Sequence, residues 1–314
     1  VDNYLKAYGD IELQRRMVSD RPRTDAFAAA IHEVVKPGDV VLDIGTGTGI
    51  LAMLAAKAGA RKVFAIDATD IIDVAEELVK INGLSDRIEL IHGRASELQL
   101  DQKVDVIISE WLGNAAFAEG MLPAVLDARD QNLAPHGRML PSRVQVLVAP
   151  LDDPLLYYNE GPGFWREPVH GLDFSSLQEV ELGQGRVVQL QIEPAGMLAP
   201  GQTIFEIDLL TAAVDDVRSE CELQFVPVRD GVLNGFCVWF RAELSPSVAL
   251  DTGPTCPLTH WSQTYMSFPP RPVRCGQPLV VSAALHYDPD PVAVHRYVEV
   301  RLGVGNEELS FEID

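Results

Sequence analysis

The spacing of apolar residues changes along the chain. Val40 to Ile44 is an apolar run interrupted only by Asp43, and it enters a glycine cluster at Gly45, Gly47 and Gly49. Small and apolar residues then recur at helical spacing from Ile50 to Ala58, before a second run, Lys62 to Ile66, ends at Asp67. The pattern predicts strand, tight turn, helix and strand. Further on it predicts a helix over Ile71 to Ile81 closed by Asn82 and Gly83, and strands at Ile88 to Ile91 and Val104 to Ile108. A last helix is expected from Phe117 to Leu133, with Pro135 and Gly137 ending it. Residues 1–35 have helical spacing, and Pro22 either ends a first helix or begins a second.

From Pro141 the period shortens towards two. Short alternating segments at Val144 to Val148, Val187 to Ile192, Ile204 to Leu210, Cys221 to Val226, Phe236 to Phe240, Leu279 to Leu285, Tyr297 to Leu302 and Leu309 to Ile313 predict strands. The expected fold is a Rossmann-like α/β domain followed by a β-barrel or β-sandwich. Its expected divisions are a helical lid over 1–22, a cofactor domain over 23–140 and a β-rich substrate domain over 141–314. Tyr157 to Phe174 interrupts the β region with aromatics and prolines, and the arm is bounded at about 155–178. It is either an interface or a loop folded onto its own domain.

Ligands of open α/β sheets collect beyond the carboxyl ends of the strands, so Gly45, Asp67, Ser96 and Glu110 converge on one crevice. Glycines allow a ligand to approach the backbone, and an acid at the end of the second strand can accept from both hydroxyls of a ribose. The turn reads GTGTG, which is tighter than the dinucleotide fingerprint, and no lysine follows it to hold phosphates. Asp43, two residues before the first glycine, can order the loop around a cationic cofactor. The segment alone allows a methyltransferase, a dinucleotide enzyme or a fold relic without cofactor.

Charge narrows the partners. The formal net charge is -21, which opposes binding to nucleic acid or an anionic membrane. It suits a cationic substrate, and equally a merely solvated acidic surface. The four cysteines lack metal-ligand spacing, no apolar run is long enough to span a bilayer, and the sequence has no signal-like start. A cytoplasmic protein with reduced thiols is expected.

Glu110 and Glu119 flank WLGNAAFA as an acidic hairpin at the crevice. Two nearby carboxylates repel and lose hydration, and a guanidinium, whose planar fork can meet both, relieves that cost. Exposed glutamates, or less readily a divalent metal, are the alternatives. Thr259-His260-Trp261 places a histidine beside an aromatic, either as core structure or as a cap that pairs with Asp20. Tyr4 and Tyr8 share a helical face and either cover the crevice or pack with wet hydroxyls.

These segments together resemble the protein arginine methyltransferases over nearly the whole length. The likeness lies in YLKAY, RRMVSDRPRT, VLDIGTGTGILAMLAAKAGARKVFAID, SEWLGNAAFAEGMLPAVLDARDQNLAPHGRMLP and LTHWSQTYM, and it is of a bacterial-type member. The resemblance implies S-adenosylmethionine as cofactor and a guanidino nitrogen as acceptor, in a protein arginine, free arginine or another guanidine-bearing metabolite. It puts Arg23 on the cofactor carboxylate, Asp43, Gly45, Gly47 and Gly49 beside the methionine part, and Asp67 on the ribose. It also brings Tyr4, Tyr8, Gln14, Met17, Ser96, Glu97, Glu110 and Met121 to the cofactor. Glu110 and Glu119 would hold the guanidinium, joined on the substrate side by Tyr8, Asn114, His260 and Trp261.

By the same likeness Met17 crowds the reacting nitrogen and favours mono- and asymmetric dimethyl products. Asp20 and His260 pair across the domains, with Glu119 or that pair taking the proton, and the arm makes a head-to-tail homodimer. Some positions depart from the family pattern. Asn114 and Ala118 replace tyrosines, Gln14 a histidine, Asp67 a glutamate, and Ser96 the acid that meets the adenine amino group. Methylation of another small-molecule N or O atom, or a silent dimeric scaffold, are the competing functions.

Overall fold

The structure, a computed structural model, describes residues 10–185, 187–288 and 298–313. Tyr4 and Tyr8 lie outside them.

Two helices open the described chain, α1 (Ile11–Ser19) and α2 (Arg21–Val34). Asp10 caps the first by accepting from the Glu12 amide at 2.7 Å. Asp20 sits at the elbow as C-cap of α1 and N-cap of α2, and Pro22 lies in the first turn of α2. Its missing N–H would have no partner there, so proline begins a helix instead of ending one.

The sheet that follows contains β1 (Val40–Ile44), β2 (Lys62–Asp67), β3 (Ile88–His92), β4 (Val104–Ser109) and β5 (Leu133–Leu140). Its order is β3-β2-β1-β4-β5, with every neighbouring pair parallel. Helices α3 (Ile50–Ala58), α4 (Ile71–Ile81) and α5 (Leu122–Asn132) connect the strands. All five residues of β1 are buried, including Asp43, as expected of a strand covered on both faces. Strand order reverses between β1 and β4, which places the glycine turn and Glu110 at the switch point.

The expected helix over Phe117 to Leu133 is corrected at both ends. It starts at Leu122, and Leu133–Leu140 is a fifth strand and not a helix end. Pro135 fits because β5 is an edge strand that, among the described residues, pairs only with β4, so a missing donor there breaks no ladder. Phe117 instead turns into the core, where its ring meets Phe205 edge-on at 5.5 Å and Tyr287 at 6.1 Å. Those two belong to the second half of the chain, so one apolar core runs through both halves.

The antiparallel region has two sheets. The larger runs β7-β12-β10-β6-β8, formed by β6 (Arg143–Leu151), β7 (Val187–Leu190), β8 (Gln202–Asp208), β10 (Gly231–Glu243) and β12 (Gln263–Val273), with β11 (Ala249–Asp251) on β10. The smaller runs β15-β14-β13-β9, from β9 (Arg218–Phe225), β13 (Leu279–Tyr287), β14 (Val298–Val304) and β15 (Glu307–Ile313). Strand β12 escapes the sequence pattern because Pro269, Pro270 and Pro272 break it. They are tolerated because β7 pairs only with Gln263 to Met266, leaving the rest of β12 with one neighbour among the described residues. The expected strand Val187 to Ile192 stops at Leu190, and the Ile192 amide donates to the Gln263 side chain at 2.9 Å.

Between β6 and β7 the aromatic excursion folds into α6 (Pro154–Asn159), a 3-10 turn at Pro162–Arg166 and α7 (Leu177–Gly183). It is more helical than its prolines suggest. Tyr157 is buried and its hydroxyl accepts from Gln178 at 3.0 Å, while the Trp165 indole donates to Glu181. Leu155, Phe164, Leu172 and Val180 are left facing outward.

Candidate active site

The glycine turn is built from inside the first strand. Asp43 is fully buried, and its Oδ2 accepts from the Thr46 hydroxyl at 2.6 Å and the Ala52 amide at 3.0 Å. Its Oδ1 has no partner among the described residues. Burial pushes this carboxyl up to about 7, against the pull of the Thr46 and Ala52 bonds, with nearby Asp67 adding to the rise and Arg23 opposing it. Gly45, Gly47 and Gly49 all have φ between 53° and 80°, which other residues rarely adopt. A Cβ on Gly47 would stand 2.8 Å from Gln14 Oε1, and one on Gly45 would stand 3.0 Å from Met121 Cε. Gln14 of α1 and Met121, at the start of α5, therefore close over a bare backbone loop. A buried unpaired acceptor beside such a loop fits a cationic amino-acid moiety, the chemistry S-adenosylmethionine would bring.

Asp67 is more committed than its sequence position suggests. Its Oδ2 accepts from the Gly47 amide at 2.9 Å, and its Oδ1 accepts from the Thr69 amide at 2.9 Å and hydroxyl at 2.7 Å. A ribose hydroxyl would meet the one lone pair left on Oδ2, and a second would have to displace the Thr69 hydroxyl. The signal was in the sequence, since threonine two residues after an aspartate commonly closes such a local turn. Ser96 lies in a 3-10 turn at Ala95–Glu97, where its carbonyl accepts from Gln131 at 3.3 Å, and Glu97 is exposed.

The acidic hairpin starts where β4 ends. Arg23 donates from Nε at 2.8 Å and lies with Nη2 at 2.7 Å from the same oxygen, Glu110 Oε2. Both side chains are almost fully buried, at 7% and 6% exposure. Glu110 Oε1 accepts from the Leu112 amide at 2.9 Å, and Arg23 Nη1 donates to the Met17 carbonyl at 3.2 Å. The residue expected on the cofactor carboxylate is thus held by the first glutamate of the hairpin. The hairpin itself closes through reciprocal bonds between Gly113 and Ala116, of 3.1 and 3.0 Å, with positive φ at Ala115 and Ala116. Glu119 returns beside Gly113, where a Cβ would stand 2.7 Å from its amide nitrogen and 2.8 Å from its Cγ. Gly113→Ala should therefore displace Glu119 and lower the methyl-transfer rate by roughly tenfold, with cofactor affinity held within about twofold. Single-turnover kinetics with titration of the cofactor analogue would check it; an unchanged rate would dissociate Glu119 from the chemistry.

The second half of the chain reaches the crevice through the loop before β12. His260 Nδ1 lies 2.7 Å from Asp20 Oδ2, which also accepts the His260 amide at 2.8 Å. The other oxygen of Asp20 accepts the Arg23 amide at 3.1 Å. Burial alone would raise the Asp20 carboxyl, but the His260 bonds and the Arg23 amide together hold it below its ordinary value. Stability from this depression is present above the usual carboxylate value and is lost as pH falls through the lowered one. Asp20→Asn should thus destabilise the protein by about 1 kcal/mol at pH 7, with the difference from wild type shrinking below about pH 4 in urea titrations. Trp261 packs its ring on His260 with centroids 4.0 Å apart and donates from Nε1 to the Leu112 carbonyl. Sequence reasoning missed that bond, and also the donation from Arg16 Nη2 to the His260 carbonyl at 2.7 Å. Neither leaves a local signal, because the partners are 149 and 244 residues apart. Asn114 is half-buried at the hairpin.

A glycine loop and strand-end acid on a parallel sheet, joined to an antiparallel β domain that supplies one wall of the crevice, define a nucleoside-binding protein of two parts. Residues 20–140 match the model of the ribosomal protein L11 methyltransferase (PrmA) family, and residues 143–302 match the arginine methyltransferase oligomerization subdomain. The chain is 33% identical to the probable protein arginine N-methyltransferase 6 of Arabidopsis thaliana over 84% of this chain and 70% of the relative. It is 36% identical to protein arginine N-methyltransferase 1 of Schizosaccharomyces pombe over 84% of this chain and 78% of that one. Among solved structures, the Trypanosoma brucei PRMT1 enzyme-prozyme heterotetrameric complex with AdoHcy superposes with a TM-score of 0.88 at 30% identity, covering 98% of this chain and 100% of its own. The chain belongs to the protein arginine N-methyltransferase family.

Proposed function

We infer that this enzyme is an S-adenosylmethionine-dependent N-methyltransferase acting on a guanidino nitrogen of arginine. One observation carries the reading of the site: Glu110, buried beside the glycine turn, already holds a guanidinium, that of Arg23. Arg23, Asp43, Gly45, Gly47, Gly49, Asp67 and Met121 would hold the cofactor, with Gln14, in the described part of the lid expected over 1–22, closing over it. When bound, S-adenosylmethionine supplies an electrophilic methyl. A guanidinium is a poor nucleophile because its lone pairs are delocalised. Glu110 and Glu119 counter this by drawing positive charge to the far nitrogens and fixing the near one in line. Met17 limits the room around that nitrogen. His260, donating from Nδ1 to Asp20, presents Nε2 as an acceptor, so Glu119 or this pair takes the departing proton.

Residues 23–140 serve as the cofactor domain and 141–314 as the substrate domain, in a protein that works in the cytoplasm. No helix among the described residues is long and apolar enough to cross a membrane. The arm at about 155–178 would join two copies into a homodimer through Leu155, Phe164, Leu172 and Val180, whose outward apolar surface suits an interface. Phe164→Asp together with Leu172→Asp is expected to shift the sedimentation-equilibrium mass from dimer to monomer; a wild-type monomer at every concentration would remove the dimer. The activity is tested with labelled cofactor and a panel of peptidyl and small-molecule guanidines. Absence of transfer to every guanidine, under conditions where the cofactor binds, would overturn it.

A further inference from the structure

We propose that Thr69 is a ribose receptor in its own right: its hydroxyl oxygen accepts one of the two vicinal hydroxyls of the cofactor, and Asp67 accepts the other. The proposal rests on the S-adenosylmethionine reading above and adds a residue to it. A carboxylate offers about four acceptor sites, two on each oxygen. Both sites of Asp67 Oδ1 are taken by Thr69, whose amide donates at 2.9 Å and whose hydroxyl donates at 2.7 Å. One site of Oδ2 is taken by the Gly47 amide at 2.9 Å. A single site is left for two ribose hydroxyls.

To reach the carboxylate itself, the second hydroxyl would have to displace that of Thr69. It need not, because a hydroxyl that donates its one hydrogen keeps two lone pairs. The hydrogen of Thr69 is committed to Oδ1, and among the described residues no other group donates to its oxygen. Thr69 Oγ1 therefore presents acceptor sites only, on a residue that is half-buried, as Asp67 is. The spacing agrees. Oγ1 stands 2.7 Å from Oδ1, and the two carboxylate oxygens are about 2.1 Å apart by ordinary C=O lengths, so Oγ1 lies at most about 5 Å from Oδ2. Acceptors that close can each meet one of two neighbouring hydroxyls at the usual distance of about 2.7 to 2.8 Å. The backbone holds both in place. The Ile66 carbonyl accepts the Gly45 and Thr46 amides at 2.9 and 3.0 Å, the Asp67 carbonyl accepts the Gly93 amide at 2.9 Å, and the Thr69 carbonyl accepts from Ile72 at 3.3 Å as α4 begins. The pair is thus fixed between the glycine turn, the end of β3 and the start of α4, and binding has little left to order.

Calorimetry tests this without turnover. S-adenosylhomocysteine and its 2′-deoxy and 3′-deoxy forms are titrated into wild type, Thr69→Ser and Thr69→Val. In wild type each deoxy form should bind about five- to tenfold more weakly than the parent, the effect of one hydrogen bond. Valine keeps the shape of threonine but puts a methyl where the hydroxyl stood, so the freed site on Oδ1 is covered. Thr69→Val should therefore bind the parent about five- to tenfold more weakly. One deoxy form, lacking the hydroxyl that Thr69 reads, should then bind at least as well as the parent, while the other keeps its loss. Thr69→Ser should retain the wild-type pattern. A wild type that binds either deoxy form as tightly as the parent overturns the proposal, whether or not the variants fold. So does Thr69→Val weakening all three ligands by a common factor, since Thr69 then only shapes the turn, and so does no change at all. Disappearance of both deoxy losses in Thr69→Val also overturns it, because Asp67 would then read both hydroxyls and valine would merely displace it. Each of these leaves the methyltransferase reading standing, whereas a wild type that binds none of the three ligands removes both.

Discussion

Glu110→Gln is expected to lower the rate of guanidino methylation by about 10² to 10³-fold, the usual cost of removing one preorganised electrostatic contact at a reacting group. Glutamine keeps the shape but replaces one oxygen by a donor, which would face the donors of Arg23 or of the substrate. The change also strands a cation. Arg23, at 7% side-chain exposure, has no other ion-pair partner among the described residues, so only the more distant field of Asp43 still offsets its burial. Breaking a buried pair from one side costs about 3 to 5 kcal/mol, an upper bound here because Arg23 keeps its bond to the Met17 carbonyl. Urea titration separates the two effects, since rates are measured only where the variant is folded. Glu110→Asp refines the assignment: the shorter acid keeps the charge and should recover much of the stability, yet it withdraws from the reacting nitrogen and should recover little of the rate. A Glu110→Gln enzyme that is folded and retains more than a third of wild-type kcat would remove Glu110 from the chemistry.

The parallel sheet was legible because its strands are buried on both faces and therefore read as continuous apolar runs, with β1, α3 and α4 falling where their patterns place them. β5 and β12 were hidden by proline, a residue that sequence rules treat as a breaker but that edge positions accept. The candidate site divides in the same way. The short-range parts, the glycine turn and the hairpin between Glu110 and Glu119, can be read from spacing because one turn of chain makes them. The pairing of Asp20 with His260 spans 240 residues, and periodicity left it as one of two open readings of Thr259-His260-Trp261 that family resemblance then favoured. The ion pair between Arg23 and Glu110 was not foreseen at all. Each residue had been given a different partner, and only the folded chain shows that one buried charge is the cheapest neutraliser of the other.

Raising the pH from 5 to 8 should weaken the cofactor-free protein by roughly 2.5 kcal/mol through Asp43 alone, and Asp43→Asn should abolish that part of the dependence. The sign follows from burial. With its carboxyl raised from 3.8 to about 7, the folded protein holds a proton that the unfolded chain has already released, so stability from this group declines as pH rises through about 7. Other carboxylates, such as Asp20, have lowered values and change stability at lower pH, so the wild-type-minus-Asn difference isolates Asp43. The same group should couple to the cofactor. A cationic moiety placed near the unpaired Oδ1 stabilises the ionised form, so binding below pH 7 should release a proton and tighten as pH rises. Calorimetry in two buffers of different ionisation heat would measure that release in wild type, and Asp43→Asn should lose it. If wild type releases no proton near pH 6, the orphaned oxygen does not face the cation, and the glycine loop holds its ligand by shape alone.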